Sequence, residues 1–246
     1  MYQQTNPNEM PGIGTSVIAA YKPIWKGRSG VQYLPGGGSI DGANARDPLN
    51  TYSGGIVPNA QASYANVLQP GLLMGKITAS GFYGASVLGL SLAAYVDNDT
   101  TITVSAATAT EVIRRLGGTT GSLKFIGPPT AGGTVAATAI TVTAVTVNGN
   151  SSTITCGDLN LGKVAGSIIA PADGSETIKT FVDEEDGIRV TDGNGNNLAI
   201  QFPRIPIGGG VVYTANIVNY PSDSALKTWV KTALKAVGPF LFDDDL

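Results

Sequence analysis

The chain has 246 residues, a net charge of −3, and only 13% charged residues, against about 25% in an average soluble domain. It has no histidine and one cysteine, Cys156, which excludes Ser-His-Asp and Cys-His catalysis, a zinc knuckle and an intrachain disulfide. No Lys/Arg run exists to neutralise phosphates, so nucleic acid is not an expected partner.

A chain this long buries about 70% of its unfolded surface on folding and needs no staple. With no histidine and no paired cysteines, no metal or cofactor is expected to be needed for folding. Gly, Thr, Ser, Ala and Asn replace the missing charge. A surface so poor in charge suits a protein that ends up against other subunits. The alternative is a monomer with a Thr- and Ser-rich β surface. Met1-Tyr2-Gln3-Gln4-Thr5-Asn6-Pro7 has neither the basic start nor the apolar stretch of a secretory leader. The longest apolar suspect, Val87 to Val96, is broken by Gly89 and Ser91, so no membrane span is expected.

Residues 1–58 are punctuated by Pro7, Pro11, Pro23, Pro35, Pro48 and Pro58 and loosened by Gly36-Gly37-Gly38 and Gly54-Gly55. Such a stretch makes few ladder hydrogen bonds. Yet it carries Tyr21, Trp25, Tyr33 and Tyr52, and disordered segments usually lack aromatics. The expectation is an extended N-terminal arm whose four aromatics contact a partner. The alternative is a tail folded over its own body.

Residues 59–220 read as a β-rich body. Leu72 to Ala79 is a strand, Ser80-Gly81 a turn, and Thr101-Ile102-Thr103-Val104 alternates with period two. Thr108 to Leu116 is a short helix candidate. Ser105 or Thr108 is available to cap it, Gly117-Gly118 ends it, and Arg114 and Arg115 stand near its C-terminal carbonyls. Thr134 to Val147 reads as one long strand returning through Asn148-Gly149 into Thr153 to Cys156. Cys156 sits in that strand and is expected to be buried and inert. Asp183-Glu184-Glu185-Asp186-Gly187 is expected at a hairpin tip, and Asp192 to Asn197 in a turn.

Residues 221–246 hold a helix and tail. Ser222 to Val237 is the clearest helix, opened by Pro221 and capped by Ser222 or Asp223. Leu226, Trp229, Val230 and Leu234 line its apolar face, Lys227, Lys231 and Lys235 its wet face, and Gly238-Pro239 stops it.

Motifs for chemistry are weak. Asp192-Gly193-Asn194-Gly195-Asn196 opens like a calcium loop, but Asn197 and Pro203 stand where Gly and a bidentate Glu are needed. The carboxylates of 183–186 are sequence neighbours and do not make a glycosidase pair. No P-loop occurs, so the chain does not read as an enzyme.

The stretch Leu68-Gln69-Pro70-Gly71-Leu72-Leu73-Met74-Gly75-Lys76-Ile77-Thr78-Ala79-Ser80-Gly81-Phe82-Tyr83 resembles a segment of the head decoration (cement) proteins of tailed bacteriophages, lambda-like members included. Their strand ends in Gly-Lys-hydrophobic-Thr-Ala-Thr/Ser-Gly-Lys-Tyr, and Phe82 stands where lysine is frequent. From Gly71 to Leu246 the chain also resembles tailed-phage virion proteins. The likeness lies in Gly127-Pro128-Pro129-Thr130-Ala131-Gly132-Gly133-Thr134, Asp173-Gly174-Ser175-Glu176-Thr177-Ile178 and Ile217-Val218-Asn219-Tyr220-Pro221-Ser222-Asp223.

The resemblance implies a β-barrel-like domain with an N-terminal arm. It implies homo-oligomers, trimers first, that bridge major capsid protein subunits on the outer surface of the virion after synthesis in the host cytoplasm. The section 107–165 reads as a possible insertion into that plan. The fold expected is mainly β, a barrel or sandwich, with the arm and one amphipathic C-terminal helix. The function expected is mechanical stabilisation of a capsid. A head fibre or other minor virion component is the alternative of the same class, and a cell-surface or carbohydrate-binding β module that of another.

Overall fold

Turn residues cut the chain into short strands, none longer than seven residues in the computed structural model, which describes residues 23–45, 67–149, 151–159, 161–184, 187–190, 197–202 and 204–246. In chain order the first strands are β1 (Trp25–Gly27), β2 (Gln32–Tyr33), β3 (Gly38–Asp41), β4 (Val67–Leu68), β5 (Leu73–Lys76), β6 (Tyr83–Ala85), β7 (Gly89–Leu90) and β8 (Thr101–Val104). Helix α1 (Ala106–Leu116) follows, then β9 (Gly121–Gly127), β10 (Ala136–Val142), β11 (Ala144–Thr146), β12 (Ser152–Thr155), β13 (Ile168–Pro171) and β14 (Ile178–Phe181). The last elements are β15 (Ile188–Arg189), β16 (Ala199–Phe202), β17 (Pro206–Gly208), β18 (Val211–Val212), helix α2 (Ser224–Lys235) and β19 (Leu241–Phe242).

The protein is mainly β. Two larger sheets alternate with three apolar cores. The five-stranded sheet runs β14-β5-β6-β3-β16 and the four-stranded sheet β10-β9-β13-β7. From the first, Leu73, Ile178 and Phe181 enter one core and Met74 and Val182 another. From the second, Ile126, Ile168 and Ala170 enter the shared core, while Phe125 and Ile169 face a third. A strand with core on both faces must be apolar at successive positions. That explains the fully buried Ile168-Ile169-Ala170-Pro171 of β13. The sheets stack as in a sandwich, and among the described residues no sheet closes into a barrel.

The third core belongs largely to the 107–165 region. Helix α1 and the sheet β11-β12-β8 cover it with Val112, Ile102, Ile154 and Val145. Ser105 caps α1 by accepting from the Thr108 N–H, and Gly117 ends it at φ 69°. The long strand expected over 134–147 is two strands. β10 pairs with β9, the chain turns at Thr143, and β11 pairs with β12 in a different sheet. The Thr143 N–H donates to the Thr155 carbonyl at 2.8 Å, so the corner stays satisfied. The Asn148-Gly149 signal marks the loop of the β11–β12 hairpin, with Gly149 at φ 46°.

Asp223 caps α2 by accepting from the Ala225 and Leu226 N–H groups. Leu226, Val230 and Leu234 are fully buried against the shared core, and Trp229 packs beside them half-buried. The chain then returns as β19, parallel to β18, so the C-terminal tail belongs to the body.

The arm expected over residues 1–58 is corrected in its middle. Residues 23–45 lie within the body: β1 pairs with β18, β2 with β17, and β3 with β16 and β6. The prolines and glycines of this segment shorten its strands without preventing a ladder. Gly36 and Gly37, at φ 78° and 65°, make the turn between β2 and β3. Tyr21 and Tyr52 lie outside the described residues.

Candidate functional site

Two clusters of buried charge hold residues 23–45 to the body. The first centres on Asp183. It follows β14, whose residues are almost all interior, so its carboxylate is carried inside with 0% exposure. A carboxylate buried without partners costs several kcal/mol, so donors must meet it. The Trp25 indole Nε1 donates to Oδ1, Arg28 Nη2 to Oδ1 at 3.1 Å, and the Tyr33 hydroxyl to Oδ2 at 2.6 Å. All three donors come from the first described segment. Arg204 stands 3.9 Å from Glu184 nearby. Burial pushes the Asp183 carboxyl above its usual range, while the Tyr33 and Trp25 hydrogen bonds and the Arg28 and Arg204 charges pull the other way. Burial and the adjoining Asp183 push the Tyr33 phenol up to about 12.

Trp25 is therefore core, not partner contact, which corrects the sequence expectation. Its ring lies 5.2 Å from that of Phe181 and 6.4 Å from that of Phe240. Tyr33 is half-buried and its hydroxyl is spent on Asp183. The acidic hairpin tip is corrected as well. β14 pairs with β5 and β15 with β4, so no hairpin joins β14 to β15, and Asp183 points inward. Glu185, Asp186 and 191–196 lie outside the described residues.

The second cluster lies at the end of α1. Arg115, its side chain 2% exposed, donates to the Asn44 carbonyl, to Asp173 Oδ2 at 2.8 Å and to Ser175 Oγ at 2.7 Å. Arg114 donates to the Ala43 carbonyl and pairs with Glu111. These arginines reach the loop 41–45 rather than the carbonyls of their own helix. Burial pulls the Arg115 pKa down, opposed by Asp173. Gly84 makes room for it, since a Cβ there would stand 2.9 Å from the Arg115 guanidinium. Asp173 and Ser175 belong to one of the resemblance stretches, and here that stretch anchors an arginine.

The Leu68–Tyr83 stretch forms β4, β5 and β6. The Ile77 N–H donates to the Phe82 carbonyl at 2.9 Å and Gly81 turns at φ 71°. Gly75 is required by closeness: a Cβ would stand 2.1 Å from the Ser175 carbonyl oxygen. A third buried charge, Lys163, closes the loop end of the β9–β10 hairpin. Its Nζ donates to the Gly127 carbonyl at 2.8 Å and the Ala136 carbonyl at 3.0 Å, beside the Phe125 ring.

These clusters fasten segments together, with their charged groups turned onto protein partners. Among the described residues no three His, Cys, Asp or Glu side chains are grouped to hold a metal. Cys156 is buried, and burial pushes its thiol pKa up. Asp183, Arg115 and Lys163 are buried charges that no local sequence pattern marks; the one available signal is an acidic residue directly after Phe181-Val182.

The outer surface is different in kind. Register places Thr103, Thr153 and Thr146 in one rung of the β8-β12-β11 sheet, and Thr101, Thr155 and Ala144 in another. None of these rung residues is charged, and Leu92 and Val147 stand exposed near them. No family model, curated protein or solved structure matches the chain.

Proposed function

We propose that the protein is a structural virion component that decorates and stabilises a tailed-phage capsid by bridging major capsid protein subunits on its outer surface. The observation that carries this reading is the uncharged outer β surface, the threonine rungs of β8, β12 and β11 with Leu92 and Val147 beside them. Such a face is weakly solvated and suits burial against repeating subunits. The resemblance of Leu68 to Tyr83 to head decoration proteins supports the same class. The buried clusters support a mechanical role, because they tie distant chain segments into one body. With Trp25 and Tyr33 engaged inside the body, the proposed arm contact with the shell falls to residues 1–22 and 46–58, Tyr21 and Tyr52 among them.

The test is co-sedimentation of the full chain with empty, expanded shells of its parent virus. Saturable binding at a fixed ratio to the capsid subunit is the expected result. A chain that stays in the supernatant at every concentration, or that pellets equally with a polysaccharide matrix, rules the reading out and favours the carbohydrate-binding alternative.

A further inference from the structure

The longest edge strand among the described residues is β10, and its sequence has none of the usual protection. It is seven residues long, pairs with β9 on one side only, and continues through Thr143 into β11, the edge of its own sheet. From Ala136 to Val147 the chain contains no charge, proline or glycine. Natural edges are blunted by charge, proline, bulges or shortness, because unpaired backbone groups template another strand. From Ala137 to Val142 the backbone groups turned away from β9 meet no hydrogen-bond partner among the described residues. Ala137, Ala139 and Thr141 are exposed on one face, while Ile140 and Val142 are held in the core on the other. The strand is thus fixed in register by its inner face and open along its edge.

We propose that this edge is a contact between two copies of the chain, β10 pairing antiparallel with β10 of a second copy about a twofold axis at Ala139. An antiparallel self-pairing is self-complementary by symmetry. With the axis at Ala139, each Ala137 faces a Thr141 of the other copy, and small uncharged side chains meet without clash or repulsion. The nearest charge on that face is Lys124, the β9 partner of Ala139. Across the joint the two Lys124 residues stand about three strand spacings apart, about 14 Å, beyond the Debye length of about 8 Å at physiological salt. The continuous sheet that results is eight strands wide, from the four-stranded sheet of each copy. This contact is independent of the capsid reading, since it forms without any shell. It yields a dimer, where the decoration-protein resemblance implies a trimer.

Sedimentation velocity of the full chain, wild type and the double variant A137K/T141K, tests the proposal together with mild oxidation of A139C. Both lysines fall on exposed positions and should leave the circular dichroism spectrum of the folded chain unchanged. They place like charges opposite each other across the axis. Facing Cα atoms in an antiparallel pair lie about 4.5–5.5 Å apart, within disulfide range, and the native Cys156 is buried. The expected result is a wild-type dimer, a monomeric double variant with the same circular dichroism spectrum, and a disulfide-linked dimer of A139C. A wild-type monomer at the highest concentration, association that survives the two lysines, or an oligomer in which A139C does not cross-link overturns it.

Discussion

The indole Nε1 of Trp25 donates a hydrogen bond to Oδ1 of Asp183, 158 positions along the chain, and Tyr33 and Arg28 add their donors to the same carboxylate. A segment rich in proline and glycine is thereby tied to the interior by one buried acid. Removing one donor leaves the acid underserved, which costs more than the bond itself gave. Trp25→Phe keeps an aromatic ring against Phe181 but loses the donor, and Tyr33→Phe loses only the hydroxyl. Each should cost about 1–3 kcal/mol in urea unfolding. The two should also couple in a double-mutant cycle. Strict additivity would mean that Asp183 does not unite them.

Arg115 makes the equivalent tie from α1. Arg115→Met keeps much of the stem but removes donors from the Asn44 carbonyl, Asp173 and Ser175. The carboxylate left behind, Asp173, is 35% exposed, so the loss comes mainly from the unmet Asn44 carbonyl and Ser175 hydroxyl and should be about 1–3 kcal/mol. Arg114 is more exposed, but its partner Glu111 is buried and it also serves the Ala43 carbonyl, so Arg114→Met strands a buried carboxylate and should cost at least as much. Thermal melts of the two variants measure both losses, and a negligible loss for either would contradict its role as an anchor.

The apolar face of α2 sets a third expectation. Leu234 is fully buried and Leu234→Ala should cost about 2–5 kcal/mol. Lys231, expected on the wet face, is 14% exposed and lies over the Phe242 ring, but its partners Asp244 and Asp245 are exposed, so Lys231→Ala should cost about 1 kcal/mol, less than Leu234→Ala. Denaturant melts in which Lys231→Ala matched Leu234→Ala would refute this assignment of faces.

Stability should fall in alkali. Burial, the leading cause in each, pushes the phenols of Tyr33, Tyr95 and Tyr220 up to about 12 from an ordinary value of 10.0. The folded state then holds these protons more tightly than the unfolded state. Their contribution is complete below the unfolded pKa, about 10, and is lost as pH rises through about 12. Phenolate absorbance followed with circular dichroism should show these tyrosines ionising together with loss of structure. Their ionisation near the ordinary value in a fully folded chain would contradict the burial.

Much of the architecture was legible because local rules and packing agreed. Asp223, the spacing of Leu226, Val230 and Leu234, and Pro239 placed α2; Ser105 and Gly117 placed α1. The strand expected over 134–147 was read as one because Thr143 carries no turn signal; the corner exists only because β9 and β12 draw its two halves into different sheets. From sequence Trp25 and Tyr33 read as outward, because proline and glycine density hides strands of two to four residues. From sequence Asp183 reads as a tip residue, because its donors lie some 150 residues away, a distance no local pattern spans.

The claim of a capsid role is tested most directly by cryo-electron microscopy of parent-virus shells incubated with the full chain. The account expects added density on the outer surface at symmetry-related positions between major capsid protein subunits. The layered β body should fit that density, and its uncharged surface should lie at a contact. Shells that stay bare at saturating protein, or density confined to the tail or the shell interior, would contradict it.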